Sequence, residues 1–236
     1  MIYSRICAAT FIERLNRFVA RVMLNGTVET VHVKNTGRCA ELLIPGVQVW
    51  LEDCAGPNRI TRYDLIAVEK QGANGTVLIN MDSFAPNRAA SEWLRRGGLG
   101  AMDELRAEVR KGNSRFDFYA TQGGRPVFIE VKGCTLERDG IAMFPDAPTE
   151  RGVKHIKELT RIIAEGCRCV VLIVVQMKGV RCFCPNSLTD PKFALAIREA
   201  ALAGVEIIAM DCVVQPGFIV IDKPVPVDLL GCGKDF

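Results

Sequence analysis

Apolar and polar residues alternate with two different periods along this chain, and the change of period divides it. From residue 5 to about residue 80 the apolar positions come in short runs broken by turn residues. Phe18-Val19-Ala20-Arg21-Val22 leads into Asn25-Gly26, and Val28 to Val33 ends at Asn35-Thr36-Gly37. Pro45-Gly46 precedes Val47 to Leu51, and Asp64 to Val68 is separated from Thr76 to Met81 by the break at Gly72 to Gly75. Short strands with Asn-Gly and Pro-Gly punctuation predict a small barrel or sandwich. About five strands in roughly 75 residues fits an oligonucleotide-binding (OB) type barrel.

Beyond Asp82 helical spacing enters. Pro86-Asn87 opens a helix-like stretch from Arg88 to Arg96 that stops at Gly97-Gly98. Arg115 to Ala120 and Val127 to Lys132 read as a hairpin about Gly123-Gly124, with Ile141 to Phe144 as a third short strand after Asp139-Gly140. Thr149 reads as the N-cap of a helix whose Val153, Ile156, Leu159 and Ile163 share one face. Val170 to Val175 is continuously apolar, as in a central strand buried on both faces. Asp190-Pro191 then starts a helix ending at Gly204, and Val205 to Met210 is the next strand. The order predicts an α/β unit with a mixed sheet, a three-strand meander preceding a parallel crossover. Residues 1–81 and 82–236 are the two domains expected.

Composition narrows the classes. The chain has 236 residues, 49% hydrophobic and 24% charged, an ordinary globular balance. Its formal net charge of +3 is too small to announce a nucleic-acid partner, so such binding must come from local clustering. No run approaches the ~20 apolar residues of a membrane span, and Met1-Ile2-Tyr3-Ser4-Arg5 lacks the marks of a signal peptide, so a cytoplasmic protein without membrane contact is expected. The 10 cysteines include Cys167-x-Cys169 and Cys182-x-Cys184, spaced too closely for structural zinc pairs. Reduced thiols packed as small apolar groups are expected, and no zinc.

The sharpest chemical signal is Val127-Phe128-Ile129-Glu130-Val131-Lys132, where strand alternation puts Glu130 and Lys132 on one face. Asp117, on the preceding hairpin strand, supplies a second carboxylate. Two such carboxylates make an oxygen site for Mg²⁺ (with Mn²⁺ as the alternative), and Lys132 can meet the developing charge on a scissile phosphate. The competing reading is a structural ion-pair network across a hairpin. On the following helix Arg151, His155 and Glu158 share a side with Lys154 adjacent, a set suited to phosphates or, more blandly, a solvated polar face. Arg14, Arg17 beside Phe18, and Arg38 are basic groups suited to single-strand or backbone contacts in the first domain. His32 reads as a half-buried strand side chain rather than a ligand.

Several segments together resemble the sugar fermentation stimulation protein family. They are Arg14-Leu15-Asn16-Arg17-Phe18, Asn35-Thr36-Gly37-Arg38, Glu41-Leu42-Leu43-Ile44-Pro45-Gly46, Ser114-Arg115-Phe116-Asp117-Phe118, Glu130-Val131-Lys132 and Phe144-Pro145-Asp146-Ala147-Pro148-Thr149-Glu150-Arg151-Gly152, continued by Lys154-His155. The matches come in order and span nearly the whole chain. The resemblance implies an OB-like barrel followed by a PD-(D/E)xK nuclease-like α/β domain of restriction-endonuclease type. It also implies non-specific DNA binding, single- or double-stranded, and a role in regulating sugar (maltose) metabolism genes. Asp117, Glu130 and Lys132 would take the nuclease positions, with Asp117, Glu130 and Glu108 as metal ligands and Glu92 as a further acid. Arg14, Arg17, Arg38, Arg115, Arg151, Lys154 and His155 are the expected nucleic-acid contacts. Lys34, where proline is expected, and Asp82-Ser83, where asparagine-threonine is expected, depart from the pattern, as does Gly133-Cys134 in place of serine-valine. Catalysis and DNA binding without turnover both remain open, as does oligomeric state, a homodimer included. A sugar-processing enzyme is the weakest reading, since no glycine-rich phosphate cradle or hydrolase elbow is present.

Overall fold

The computed structural model describes residues 1–35, 37–57, 59–72 and 75–230. Thr36 of the Asn35–Arg38 turn, Ala73 and Asn74 of the Gly72–Gly75 break, and tail residues 231–236 lie outside the described residues.

Strands β1 (Ile6–Arg14), β2 (Val19–Leu24), β3 (Thr27–Val33), β4 (Gln48–Asp53), β5 (Tyr63–Gly72) and β6 (Gly75–Asn80) form one sheet in the order β3-β2-β1-β4-β5-β6. A parallel pairing of β3 with β5, through His32↔Asp64 and Val33↔Leu65, closes β1 to β5 into a barrel of OB type. Asn25 and Gly26 both have positive φ, as a two-residue turn of this handedness requires, and join β2 to β3. Strict alternation is visible in β2, where Ala20, Val22 and Leu24 are buried between exposed Arg21 and Met23. The sequence pattern leaves β1 unmarked. Ile6 and Cys7 are both half-buried, each against a different apolar cluster, so the two-residue period is blurred at its start.

The second part begins with helix α1 (Ala85–Arg95). Then come β7 (Asp103–Lys111), β8 (Ser114–Gln122), β9 (Arg125–Cys134), β10 (Leu136–Arg138), β11 (Ile141–Phe144), helix α2 (Glu150–Ile163), β12 (Arg168–Val175), β13 (Cys182–Pro185), helix α3 (Pro191–Leu202), β14 (Glu206–Gln215) and β15 (Phe218–Val225). The main sheet has the order β15-β14-β12-β9-β8-β7, with β12 parallel to both β9 and β14 and the remaining pairs antiparallel. The fold is therefore an OB-like barrel joined to a mixed-sheet α/β unit.

The expected meander needs correction. Ile141–Phe144 leaves the main sheet and pairs instead with β10 and β13. Its place is taken by β7, an edge strand with no fully buried residue and charged side chains along its length. Edge strands of this kind carry charge against unwanted pairing and show no apolar period. At the other edge β15 ends at Val225, and Val227 bridges to Phe183.

β12 is buried on both faces, and its two sets of side chains belong to different clusters. Val171, Ile173 and Val175 pack with Ile156, Leu159 and Ile162 of α2 and with Phe193 and Ile197 of α3. Val170, Leu172 and Val174 pack with Ala85, Ala89, Ala90 and Leu94 of α1. Cys39, Cys134, Cys167, Cys169 and Cys212 are buried free thiols, and burial pushes Cys39, Cys134 and Cys169 up to about 12. One departure from the all-reduced expectation is Cys184, which is disulfide-bonded.

Candidate functional site

The hairpin of β8 and β9 turns through Gly123 and Gly124, both at positive φ, and its ladder runs from Gln122↔Arg125 as far as Phe118↔Ile129. Beyond that point a side chain replaces the ladder, since Val131 N donates to Asp117 Oδ2 at 2.7 Å. The alternation of β8 also breaks here. Phe116 packs on the α2 side and Phe118 on the α1 side, although a regular strand would hold both on one face. The other carboxylate oxygen of Asp117 accepts from Asn87 Nδ2 at 2.7 Å, so the first turn of α1 closes over the site.

Glu130 projects from β9 toward α2. Its Oε1 accepts from Lys132 Nζ at 2.5 Å, and His155 Nδ1 lies 2.5 Å from the same oxygen. Its Oε2 is buried and has no hydrogen-bond partner among the described residues. Burial pushes the Glu130 carboxyl up, but the His155 hydrogen bond and the Lys132 ammonium outweigh it, and the net displacement is downward. For Asp117 the balance goes the other way. Burial and then the Glu130 charge push its carboxyl up, against the Val131 amide, Lys132 and Asn87. The two acids are thus close enough to repel, and one Glu130 oxygen is unsatisfied among the described residues.

His155 sits apart from the exposed cations of its helix: it is buried against Glu130, with its ring 6.1 Å from Phe116, and so faces a carboxylate. The signal was its helical phase, four residues before buried Leu159 on the apolar side of α2. Arg151 and Lys154 are exposed on the same helix. Asn87 was missed because Pro86-Asn87 reads locally only as a helix start.

Arg14 also takes a different role. Its guanidinium donates to the carbonyls of Asn16, Arg17, Asn35, Gly37 and Arg38, which occupies all of its N–H groups in fixing two loops. Arg17 is exposed with its guanidinium 5.0 Å from the Phe18 ring, and Arg38 is exposed. Glu108 and Arg115 are exposed and pair with each other at 3.6 Å. Glu92 holds the terminal ammonium of Met1 at 2.7 Å.

Asp117, Glu130 and Glu108 do not bring their oxygens within 4.8 Å of one another. Among the described residues only Glu52, Cys54 and Asp64, in the barrel, form such a three-ligand group. Asp64 there is already matched by Arg59, with His32 at 3.3 Å and Lys34 at 3.8 Å.

Residues 12–79 match the SfsA N-terminal OB domain, and residues 84–218 match the sugar fermentation stimulation protein RE domain. A sugar fermentation stimulation protein homolog of Ruminiclostridium cellulolyticum is 50% identical over 230 residues, covering 97% of this chain and 100% of its own length. A homolog from Desulfitobacterium hafniense strain Y51 is 49% identical over 212 residues, covering 90% and 91%. The solved structure of Pyrococcus furiosus SfsA in complex with Ca²⁺ has a TM-score of 0.85 at 31% identity, over 97% of this chain and 98% of that one. The chain belongs to the sugar fermentation stimulation protein family.

Proposed function

We propose that this chain binds DNA without sequence specificity and holds Mg²⁺ or Mn²⁺ at Asp117 and Glu130 for phosphodiester hydrolysis. On this reading residues 1–81 form the DNA-binding barrel and residues 82–236 the nuclease-like unit. The observation that carries it is the buried, unpartnered Glu130 Oε2 beside an Asp117 whose carboxyl is pushed up by burial and by Glu130. A buried carboxylate oxygen with no donor is costly, and a hard divalent cation is the partner that two such acids fit. The Ca²⁺ named with the Pyrococcus furiosus relative is a hard cation of the same kind.

When bound, the ion supplies positive charge to the phosphoryl group and acidity to water. The protein's residues do the rest. Asn87 and the Val131 amide fix the Asp117 carboxylate, and His155 orients Glu130 through Oε1, leaving Oε2 free. Lys132, partly exposed, offers its ammonium to charge developing on the phosphate. Exposed Arg17, Arg38, Arg115, Arg151 and Lys154 supply sequence-independent phosphate contacts. Control of sugar-metabolism genes would act through this DNA binding.

DNA binding without turnover is the second reading. Its support is that Glu130 Oε1 is already held by Lys132 and His155, so that its charge is matched by side chains without an ion. Labelled single- and double-stranded DNA incubated with Mg²⁺ or Mn²⁺ separates the two. We expect wild-type cleavage, reduced about 10²- to 10³-fold in Asp117→Asn, Glu130→Ala and Lys132→Ala. Calorimetry should show weaker Mn²⁺ binding in the two carboxylate variants. Salt-sensitive binding with no cleavage of any DNA would establish the second reading, and variants that cleave like wild type would overturn the site.

A further inference from the structure

Phe84 caps the start of α1 and is 63% exposed, although Ala85 and Pro86 beside it are buried. Single exposed apolar residues are ordinary and by themselves mean nothing. This one is held outward by a rigid frame. Its amide donates to Asp82 Oδ1 at 2.9 Å, and Asp82 is itself fully buried and ion-paired with Lys34 at 2.9 Å. The preceding Ser83 donates to the Lys34 carbonyl from its amide at 3.1 Å and from its hydroxyl at 2.7 Å.

The same face of α1 continues with Asn87 and Arg88, three and four residues on and both exposed. Asn87 touches Asp117, while among the described residues the Arg88 guanidinium has no ion pair or side-chain hydrogen bond. One helix face therefore offers an aromatic ring, a free cation and an amide that reaches the candidate metal site. On the barrel side, the Phe18 carbonyl accepts from the Val33 amide at 2.8 Å, and Phe18 is 46% exposed beside Arg17. The two exposed aromatics thus flank residues 33 and 34, one on each part of the molecule.

We propose that Phe84 and Arg88 form a contact for single-stranded DNA, with Phe84 stacking on an unpaired base and Arg88 holding a neighbouring phosphate, so that the strand presented to Asp117 and Glu130 is unpaired. This rests on the reading of that site as one that handles phosphodiesters. Bases in a duplex already stack on one another, so an aromatic face gains a partner only from an unstacked base. The cation, in contrast, serves either form of DNA.

Fluorescence anisotropy with labelled oligothymidylate and with a duplex of mixed sequence, in Ca²⁺ or EDTA, tests this. Phe84→Ala should weaken single-strand binding about 5- to 100-fold, with duplex affinity within about 2-fold of wild type. Phe84→Leu keeps an apolar side chain for folding and should lose single-strand affinity to a similar degree, whereas Phe84→Trp should retain it and be quenched on binding. Arg88→Ala should weaken both forms and reduce the salt slope by about one. Unchanged single-strand affinity in Phe84→Ala, or full affinity in Phe84→Leu, would overturn the stacking contact while leaving the metal site standing. Cleavage unaffected by Asp117→Asn, together with a single-strand loss in Phe84→Ala, would remove the metal site and keep the contact. Absence of binding to either DNA would overturn both.

Discussion

At the scale of single residues, the same side-chain type serves opposite ends according to which acceptors lie within reach. Arg14 and Arg17 are three positions apart, yet Arg14 is bound to carbonyls through its whole guanidinium while Arg17 stays in solvent over Phe18. A lysine at position 14 would keep the charge but lose the planar fork, stranding several of those carbonyls. Arg14→Lys should therefore lower stability by about 1–3 kcal/mol, measured as a fall in the urea midpoint. An unchanged midpoint would show that water replaces the guanidinium without cost. Arg14 and His155 both looked like phosphate contacts in the sequence, because residue type and neighbours do not reveal an acceptor distant along the chain. Glu130 and Lys132 were legible as a pair, since strand alternation alone puts them on one face.

At the scale of elements, caps and turns were readable and edges were not. Thr149 accepts from the Gly152 amide and Asp190 Oδ1 from the Phe193 amide, as their positions before α2 and α3 predict. The second oxygen of Asp190 also accepts from the Thr149 amide at 2.8 Å, joining the starts of both helices through one buried carboxylate. Asp190→Ala should accordingly cost about 2–3 kcal/mol, more than a lone cap, and Asp190→Asn should recover only part because its amide offers one acceptor oxygen. Denaturant titration of the two variants checks this; a wild-type midpoint in Asp190→Asn would mean that the link to Thr149 contributes nothing. β7 and β13 escaped the sequence pattern for a different reason. β7 has no buried side to impose a period, and β13 is only four residues long.

At the scale of the whole molecule, the barrel and the α/β unit are joined by a buried polar seam. Lys34 pairs with Asp82, Tyr3 Oη donates to Asp82 at 3.2 Å, and Asn80 Nδ2 donates to Tyr3 Oη at 2.9 Å. Gln176 Nε2 donates to the Asn80 carbonyl at 3.0 Å, while the Asn80 amide donates to the Gln176 carbonyl at 3.0 Å. Two positions where the sequence departs from the expected family pattern, Lys34 and Asp82, therefore meet in space. Lys34→Met should leave a buried charge unmatched and lower stability by about 3 kcal/mol, and adding Asp82→Asn should restore most of it. Thermal unfolding of the single and double variants tests the coupling, and additive losses would refute it.

By itself the sequence determined the two-period organisation, the Asn25-Gly26 and Gly123-Gly124 turns, the helix starts at Thr149 and Asp190, and the doubly buried strand through Val170 to Val175. These depend on interactions among residues a few positions apart, where periodicity, φ preference and capping act directly. Only the tertiary structure decided the closure of β3 on β5, the removal of Ile141–Phe144 from the main sheet, the hold of Asn87 on Asp117 and the burial of His155 against Glu130. Each of these joins residues distant along the chain, and their pairing depends on where whole elements pack. That packing also leaves Glu130 Oε2 without a donor, although both Glu130 and Lys132 could be read from the strand.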